Sequence, residues 1–250
     1  MLLTERVLAE RTGCRVTRVP PATARADEHR HRPSVPRTQR STEASDCPND
    51  GTLRFGVEPY EDAAMLAPAY QPLADALGKA LNCNIELNIT TSYTAEIEAM
   101  RAGKLDIAEF GPLAYVFAQK LAGAELVATF SDEQGNPATY YASIVTTPDS
   151  GISDLSEIAG HSFAYSDPAS TSGHLYPAFA LKSSGIDPDG GVQAIYAGSH
   201  TAAFEALRNR KVDAGELNSD RMATATATGE YSPDDIRSLV STLNIDLNSL

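Results

Sequence analysis

The chain contains no tryptophan, and none of its apolar runs reaches 18 residues. The second absence excludes a membrane-spanning helix, which needs about 20 consecutive apolar residues. Cysteine is scarce. Cys14, Cys47 and Cys83 stand at unrelated spacings, which argues against a metal site and leaves a disulfide between any two of them open. Positive charge is scarce too, and unevenly placed. Residues 1–50 hold nine arginines, no lysine and seven acidic residues, a net of +2. Residues 51–250 therefore carry −15 of a total formal charge of −13. So acidic a body lacks the clustered Lys and Arg that neutralise phosphates, which excludes nucleic acid as a partner. An anion held by such a body has to be held by neutral dipoles.

Residues 1–50 read as a disordered or atypical segment. Arg, Pro, Thr, Ser and Ala dominate, and no apolar periodicity survives past the first dozen residues. Residues 17–50 carry the composition of chain that cannot bury enough apolar surface to order itself. The stretch lacks the apolar core and small-residue cleavage site of a secretory signal. Cys47 follows Ala44-Ser45-Asp46, which is not a lipoprotein context. The same composition fits a misplaced start or a shifted reading frame.

Order begins at Thr52. Thr52–Glu58 alternates with period two and reads as a strand. Leu66–Leu81 has helical spacing, 85–91 is a strand and Thr94–Ala102 a helix. A strand at Leu105–Ala108, a helix at Leu113–Leu121 and a strand at Glu125–Phe130 follow. A turn at Gly135-Asn136-Pro137 leads to a strand at Tyr140–Thr147. A helix at Asp154–Ala159, a strand at His161–Tyr165 and a helix at 171–184 come next. Two more strand–helix pairs are Val192–Tyr196 with Thr201–Asn209 and Val212–Glu216 with Asp220–Ala227. Such alternation argues for an α/β fold with mostly parallel sheets, whose ligands sit beyond the carboxyl ends of strands.

The stretch Asp167-Pro-Ala-Ser-Thr-Ser-Gly-His174 lies at such an end. A helix start presents unpaired N–H groups and the positive end of the helix dipole. One hydroxyl residue suffices for an ordinary N-cap. Three in a row, Ser170, Thr171 and Ser172, make a seat for a tetrahedral oxyanion. His200, after Gly198-Ser199 at another strand end, is placed to donate to the same anion, whereas His174, one turn into its helix, packs or faces solvent. Tyr93, Tyr140 and Tyr141 stand near segment ends, where aromatic rings wall small pockets. Only one of the adjacent pair 140/141 can face a given side. Glu109 precedes Phe110-Gly111-Pro112; if it faces the cleft it repels an anion unless the ligand also carries a cation.

Leu53-Arg-Phe-Gly-Val57, Tyr93–Met100, Leu105-Asp-Ile-Ala-Glu-Phe-Gly-Pro-Leu-Ala-Tyr115, Asp167–Gly173, Gly198-Ser-His200 and Val212-Asp213 together resemble the phosphate/phosphite/phosphonate-binding proteins of bacterial ABC importers. The similarity runs from about Thr52 to Thr228. It implies a type II periplasmic-binding-protein fold: two α/β lobes joined by a two-strand hinge and closing over a ligand. The first lobe would comprise residues 51–143 plus 217–250, and the second residues 144–216. The resemblance also implies no catalytic residue, no metal and no cofactor. The partners it implies are a small oxyanion and a transporter permease, with membrane contact only through that permease or a lipid anchor. It places the protein in the periplasm or on the outer face of the cell membrane.

Residue by residue, Ser170, Thr171 and Ser172 match the family's phosphonate seat and His200 the histidine that completes it. Tyr93 matches a pocket tyrosine of the first lobe, Tyr141 (in preference to Tyr140) a second near the hinge. Asp220 falls where some members place an acid for a ligand's amino group. Members normally continue past position 240 with a return to the first lobe, which Ile236–Leu250 does not match. The competing readings are an amino-bearing or heterocyclic ligand on the same fold, a sensor domain, and a hydrolase using Ser170 or Ser172 with His200 and Asp220. No Gly-x-Ser-x-Gly elbow supports the last.

Overall fold

The computed structural model describes residues 47–132 and 134–241 and the backbone of residues 2–5. The reading of residues 17–46 as weakly structured, and Cys14, lie outside the described residues. The first sheet is built from β1 (Leu2–Glu5), β2 (Thr52–Val57), α1 (Ala63–Leu81), β3 (Asn84–Ile89), α2 (Tyr93–Arg101), β4 (Ile107–Phe110), α3 (Pro112–Ala122) and β5 (Glu125–Thr129). Alternation in β2 buries Leu53, Phe55 and Val57 against Leu66 and Tyr70 of α1. That apolar face holds α1 helical across Pro68 and Pro72, each of which removes a backbone donor. Asn82 closes α1 in the left-handed region, φ 54°, returning its N–H to Gly78 O. A disulfide joins Cys83 just beyond to Cys47.

The second sheet follows with β6 (Ala142–Thr146), β7 (Ser162–Tyr165), α4 (Tyr176–Ser183), β8 (Gln193–Tyr196), α5 (His200–Arg208), β9 (Ala214–Asn218), α6 (Ser219–Ala227) and β10 (Arg237–Ser241). The strand orders are β3-β2-β4-β1-β5 and β10-β6-β9-β7-β8. Reversing the second superimposes the two patterns. In each sheet the strand opening the parallel set lies between two parallel neighbours, and an antiparallel strand is inserted beside the third. In the second sheet the inserted strand is β6, reached from the first lobe through residues 130–141. In the first sheet it is β1.

Two sequence-based boundaries need correction. Leu2–Glu5, set apart with the atypical segment, is a strand, paired with β4 and β5, and Pro48–Gly51 forms a short turn leading into β2. Of residues 217–250, expected in the first lobe, the described part to residue 241 stays on the second. β10 pairs with β6, and Tyr231 packs edge-on to Phe204 at 5.8 Å. The apolar residues Leu239 and Val240 find their cover around Ile144 and Phe163, so burial keeps the segment there.

Candidate functional site

The carboxyl ends of β2, β4, β7 and β9 face one another across a cleft of about 230 Å³. The turn after β7 supplies its most polar wall. Ser170 caps the following helical turn, its Oγ accepting from Gly173 N–H at 3.0 Å, so the plain capping role is realised there. The turn from Thr171 to Leu175 is a π-type widening before α4. It packs so tightly on β7 that a Cβ on Gly173 would collide with the Ser166 side chain; only glycine fits. Thr171 Oγ1 accepts from Leu113 N–H of α3 at 2.8 Å, tying this turn to the first lobe. The Ser170 hydroxyl also bonds with the Tyr93 phenol. Ser172 Oγ lies 3.5 Å from His200 Nε2.

His200 opens α5, which Ser199 caps by accepting from Ala202 N–H at 3.1 Å. Its Nδ1 sits 2.7 Å from Glu216 Oε1 of β9, and both side chains are buried. Burial alone would lower the imidazole pKa, but the adjacent Glu216 carboxylate outweighs it and raises it. The ring therefore tends toward the cation, with Nε2–H available to the cleft.

Carboxyls supply the opposite wall. Glu58 and Glu109, at the ends of β2 and β4, are almost fully buried and line the cleft. Glu58 Oε2 accepts from Gly111 N–H at 2.9 Å. Burial, then the neighbouring Glu109, pushes the Glu58 pKa well up. Burial likewise pushes Glu109 up to about 8. Among the described residues no lysine or arginine lines the cleft.

The two lobes touch directly around it. His200 N–H donates to Tyr60 O at 2.9 Å. The Thr201 hydroxyl donates to Glu61, and Arg221 Nε lies 3.8 Å from the same carboxylate. A loop of the first lobe is thus hydrogen-bonded to one helix start of the second and within ion-pair distance of another.

Of the residues singled out in the sequence, Tyr93, Ser170, Thr171, Ser172, His200 and Asp220 share this cleft. Tyr141 does not. Its ring points toward Met222, and its backbone pairs with Ser219. Adjacent extended residues face opposite ways, so Tyr140 takes the cleft position, its phenol meeting the Thr171 hydroxyl. Asp220 is not the partner of His200; Glu216 is. His174 packs, edge-on, against Tyr165 and Tyr196. The residues missed were Glu58, Glu216 and Tyr60. The available signal was a carboxylate inside or ending a strand whose neighbours are all apolar.

Comparison with known proteins bears on these features. A family described as "ABC transporter, phosphonate, periplasmic substrate-binding protein" matches residues 55–246. The chain is 32% identical over 186 residues to the phosphate-import protein PhnD of Mycolicibacterium smegmatis, covering 70% of this chain and 57% of that protein. It is 27% identical over 175 residues to the phosphonates-binding periplasmic protein of Escherichia coli, covering 68% and 51%. The chain therefore spans little more than half the length of these relatives. Among solved structures, PhnD1 from Prochlorococcus marinus in complex with methylphosphonate aligns with a TM-score of 0.71 at 21% identity. That alignment covers 78% of this chain and 74% of the other. At that identity the likeness establishes the fold, a periplasmic-binding-protein architecture.

Proposed function

The chain belongs to the periplasmic substrate-binding proteins of phosphonate ABC transporters, and from that membership we propose that it captures a phosphonate, phosphite or phosphate-like oxyanion between its lobes for delivery to a permease. The observation that carries this reading is the row of hydroxyls at 170–172 beside the His200 imidazole. These are donors in a cleft that, among the described residues, no lysine or arginine lines. Within a closed, water-poor cleft, donors aimed at one point hold an anion without any net positive charge nearby. Ser170, Thr171, Ser172 and His200 bind the anionic group, and Tyr93 and Tyr140 wall it. The disulfide between Cys47 and Cys83 fits an oxidising compartment outside the cytoplasm. Function by capture, with no bond made or broken, accounts for the seat without a nucleophile.

A ligand bearing an amino group as well is favoured by one feature: Asp220, an exposed carboxylate, borders the same cleft. Thermal unfolding of the full chain with phosphate, phosphite, methylphosphonate and 2-aminoethylphosphonate separates these readings. A ligand at about 100 times its Kd stabilises the native state by roughly 2.7 kcal/mol, a shift of several degrees. The expected result is a shift with at least one phosphorus oxyanion, abolished when Ser170, Thr171 and Ser172 are replaced by Ala. A cooperative transition unmoved by all four ligands rejects the proposal.

A further inference from the structure

Glu58 and Glu109 face an anion seat although carboxylates repel anions. We propose that they act in the neutral acid form, as O–H donors to the bound oxyanion, so that the cleft accepts a fully ionised tetrahedral anion and releases it when the pair ionises. The inference rests on the oxyanion reading above and adds to it which groups complete the seat and what protonation state they hold.

The geometry leaves few alternatives for these two side chains. Glu58 is 2% exposed and Glu109 0%. Glu58 Oε2 is satisfied by Gly111 N–H, whereas Glu58 Oε1 has no hydrogen-bond partner. Neither Glu109 oxygen has one within bonding geometry, the Tyr70 phenol and the Glu58 backbone N–H being the polar groups that approach it. Two adjacent buried carboxylates in a cleft that no described lysine or arginine lines do not both stay charged, because each loses its hydration and repels the other; the chain's amino terminus draws both downward, and burial outweighs it. As neutral acids they carry hydroxyl donors. For Glu58 the proton resides on Oε1, since Oε2 accepts the amide. A buried donor with no acceptor costs free energy, and an oxyanion in the cleft is the acceptor that is missing. A hydrogen bond from O–H to an ionised oxygen is also short and strong. A carboxylic acid kept neutral at pH 7 by an apolar site, so that it can donate, is established enzyme chemistry.

The surroundings reinforce the neutral form. Glu96 of α2, Asp167 after β7 and Asp220 of α6 add further negative or potentially negative groups. The phenols of Tyr60, Tyr70, Tyr93 and Tyr140 around the pair are all raised by burial and stay protonated. Among the described side chains that line the cleft, the one able to carry positive charge is His200, whose charge Glu216 already balances. A carboxyl whose pKa is raised is neutral below that pKa and ionises above it. With Glu109 up at about 8, the donor form prevails at neutral pH and is lost in mildly alkaline solution.

The test is calorimetric titration of the full chain with methylphosphonate between pH 6.5 and 9.5, in buffers of differing ionisation enthalpy, with thermal unfolding at each pH. Wild type is expected to lose affinity by about tenfold per pH unit above pH 8, with uptake of a proton on binding. Glu109→Ala should weaken binding about tenfold at pH 6.5. Glu109→Gln keeps an uncharged donor, and should recover most of that loss and remove the alkaline decline; Glu58→Gln should also flatten it. A wild-type affinity independent of pH above 8 overturns the inference. So does a decline that persists in both glutamine variants and vanishes in His200→Gln, which assigns the proton to the imidazole. So too does a selective loss of 2-aminoethylphosphonate in the glutamine variants, since it would mean that the carboxylates are charged and pair with an ammonium. If wild type fails to bind methylphosphonate, phosphate or phosphite even at pH 6.5, the oxyanion reading itself falls, an outcome distinct from the other three.

Discussion

The imidazole of His200 is held between two side chains, with Nδ1 2.7 Å from Glu216 Oε1 and Nε2 3.5 Å from Ser172 Oγ. The arrangement resembles the Ser–His–acid order of a hydrolase. Here the serine lies in a helical turn among other hydroxyls, and the acid's effect is to charge the ring. Replacing the carboxylate with its amide, Glu216→Gln, keeps the shape and removes the charge. His200 should then titrate lower, because burial loses its chief opponent and only the lesser pull of Glu61 and Asp220 remains. Anion affinity at pH 7 should fall about tenfold, the difference between a charged and a neutral donor. Calorimetry and the imidazole NMR titration check both; an unchanged His200 titration would refute the assignment.

Arg221 is the largest fully buried side chain, at 1% exposure. It pairs with Glu230 and approaches Glu61, and its guanidinium lies over the Phe204 ring at 5.1 Å. Removing one partner of a buried charge cluster strands the others, at a cost of roughly 3–5 kcal/mol. Arg221→Ala should show that loss in urea unfolding. Glu61→Ala should cost less stability, because Arg221 keeps Glu230, but it removes a hydrogen bond and a longer ion pair between the lobes. Small-angle scattering of the ligand-free Glu61→Ala variant is expected to show a more open molecule than wild type.

Cys47 and Cys83 close a loop with a sequence separation of 36 residues. Loop-closure entropy for that length corresponds to about 4 kcal/mol. The bond anchors the start of β2 to the end of α1, on the far side of the sheet from the cleft ends of its strands. Reduction by dithiothreitol should lower the unfolding midpoint by several degrees while leaving ligand affinity at low temperature within a few-fold. A midpoint indifferent to reductant would show that the cross-link contributes nothing.

Most of the α/β alternation was legible because each element carries its own period. β2 alternates, and α1 buries Leu66, Tyr70 and Ala74 at helical spacing. The hydroxyl-rich helix start at residues 170–173 was legible for the same reason: it lies within four consecutive residues. Of the carboxyls, Glu109 was legible from its place before Phe110-Gly111-Pro112, whereas Glu58 and Glu216 were not: they come from other strands, and their meeting with the cleft depends on strand order, which local periodicity does not encode. Tyr140 and Tyr141 show the limit of resolution, since a one-residue difference in facing exchanges the cleft tyrosine for a packed one. β1 and β10 were missed because each is a short strand whose stability comes from its neighbours in the sheet and not from its own pattern.

Glu96 offers the sharpest test of how the first lobe tolerates its acids. It is fully buried in α2, and neither oxygen has a hydrogen-bond partner. A Cβ on Gly56 would lie 2.7 Å from its Oε1, so the strand passes close enough to shut water out. Burial, then Glu58 and Glu109, pushes its pKa well up. A carboxyl with a raised folded-state pKa holds a proton that the unfolded chain releases near pH 4.3. Its stabilising effect is complete below that value and is lost as pH rises toward the folded pKa, by about 1.4 kcal/mol per unit. Carboxyls that are lowered, such as Glu157 and Glu230, act in the opposite sense but below about pH 4.5. The window from pH 5 to 8 therefore reports the raised groups together, Glu96, Glu58, Glu109 and His200, and the Glu96 variant separates its share. Wild type should unfold at a lower temperature at pH 8 than at pH 5. Glu96→Gln, neutral at every pH, should lose part of that decline and be the more stable of the two at pH 8. Parallel declines in both proteins would mean that Glu96 finds its charge compensated, and would shift the burden of the slope to Glu58 and Glu109.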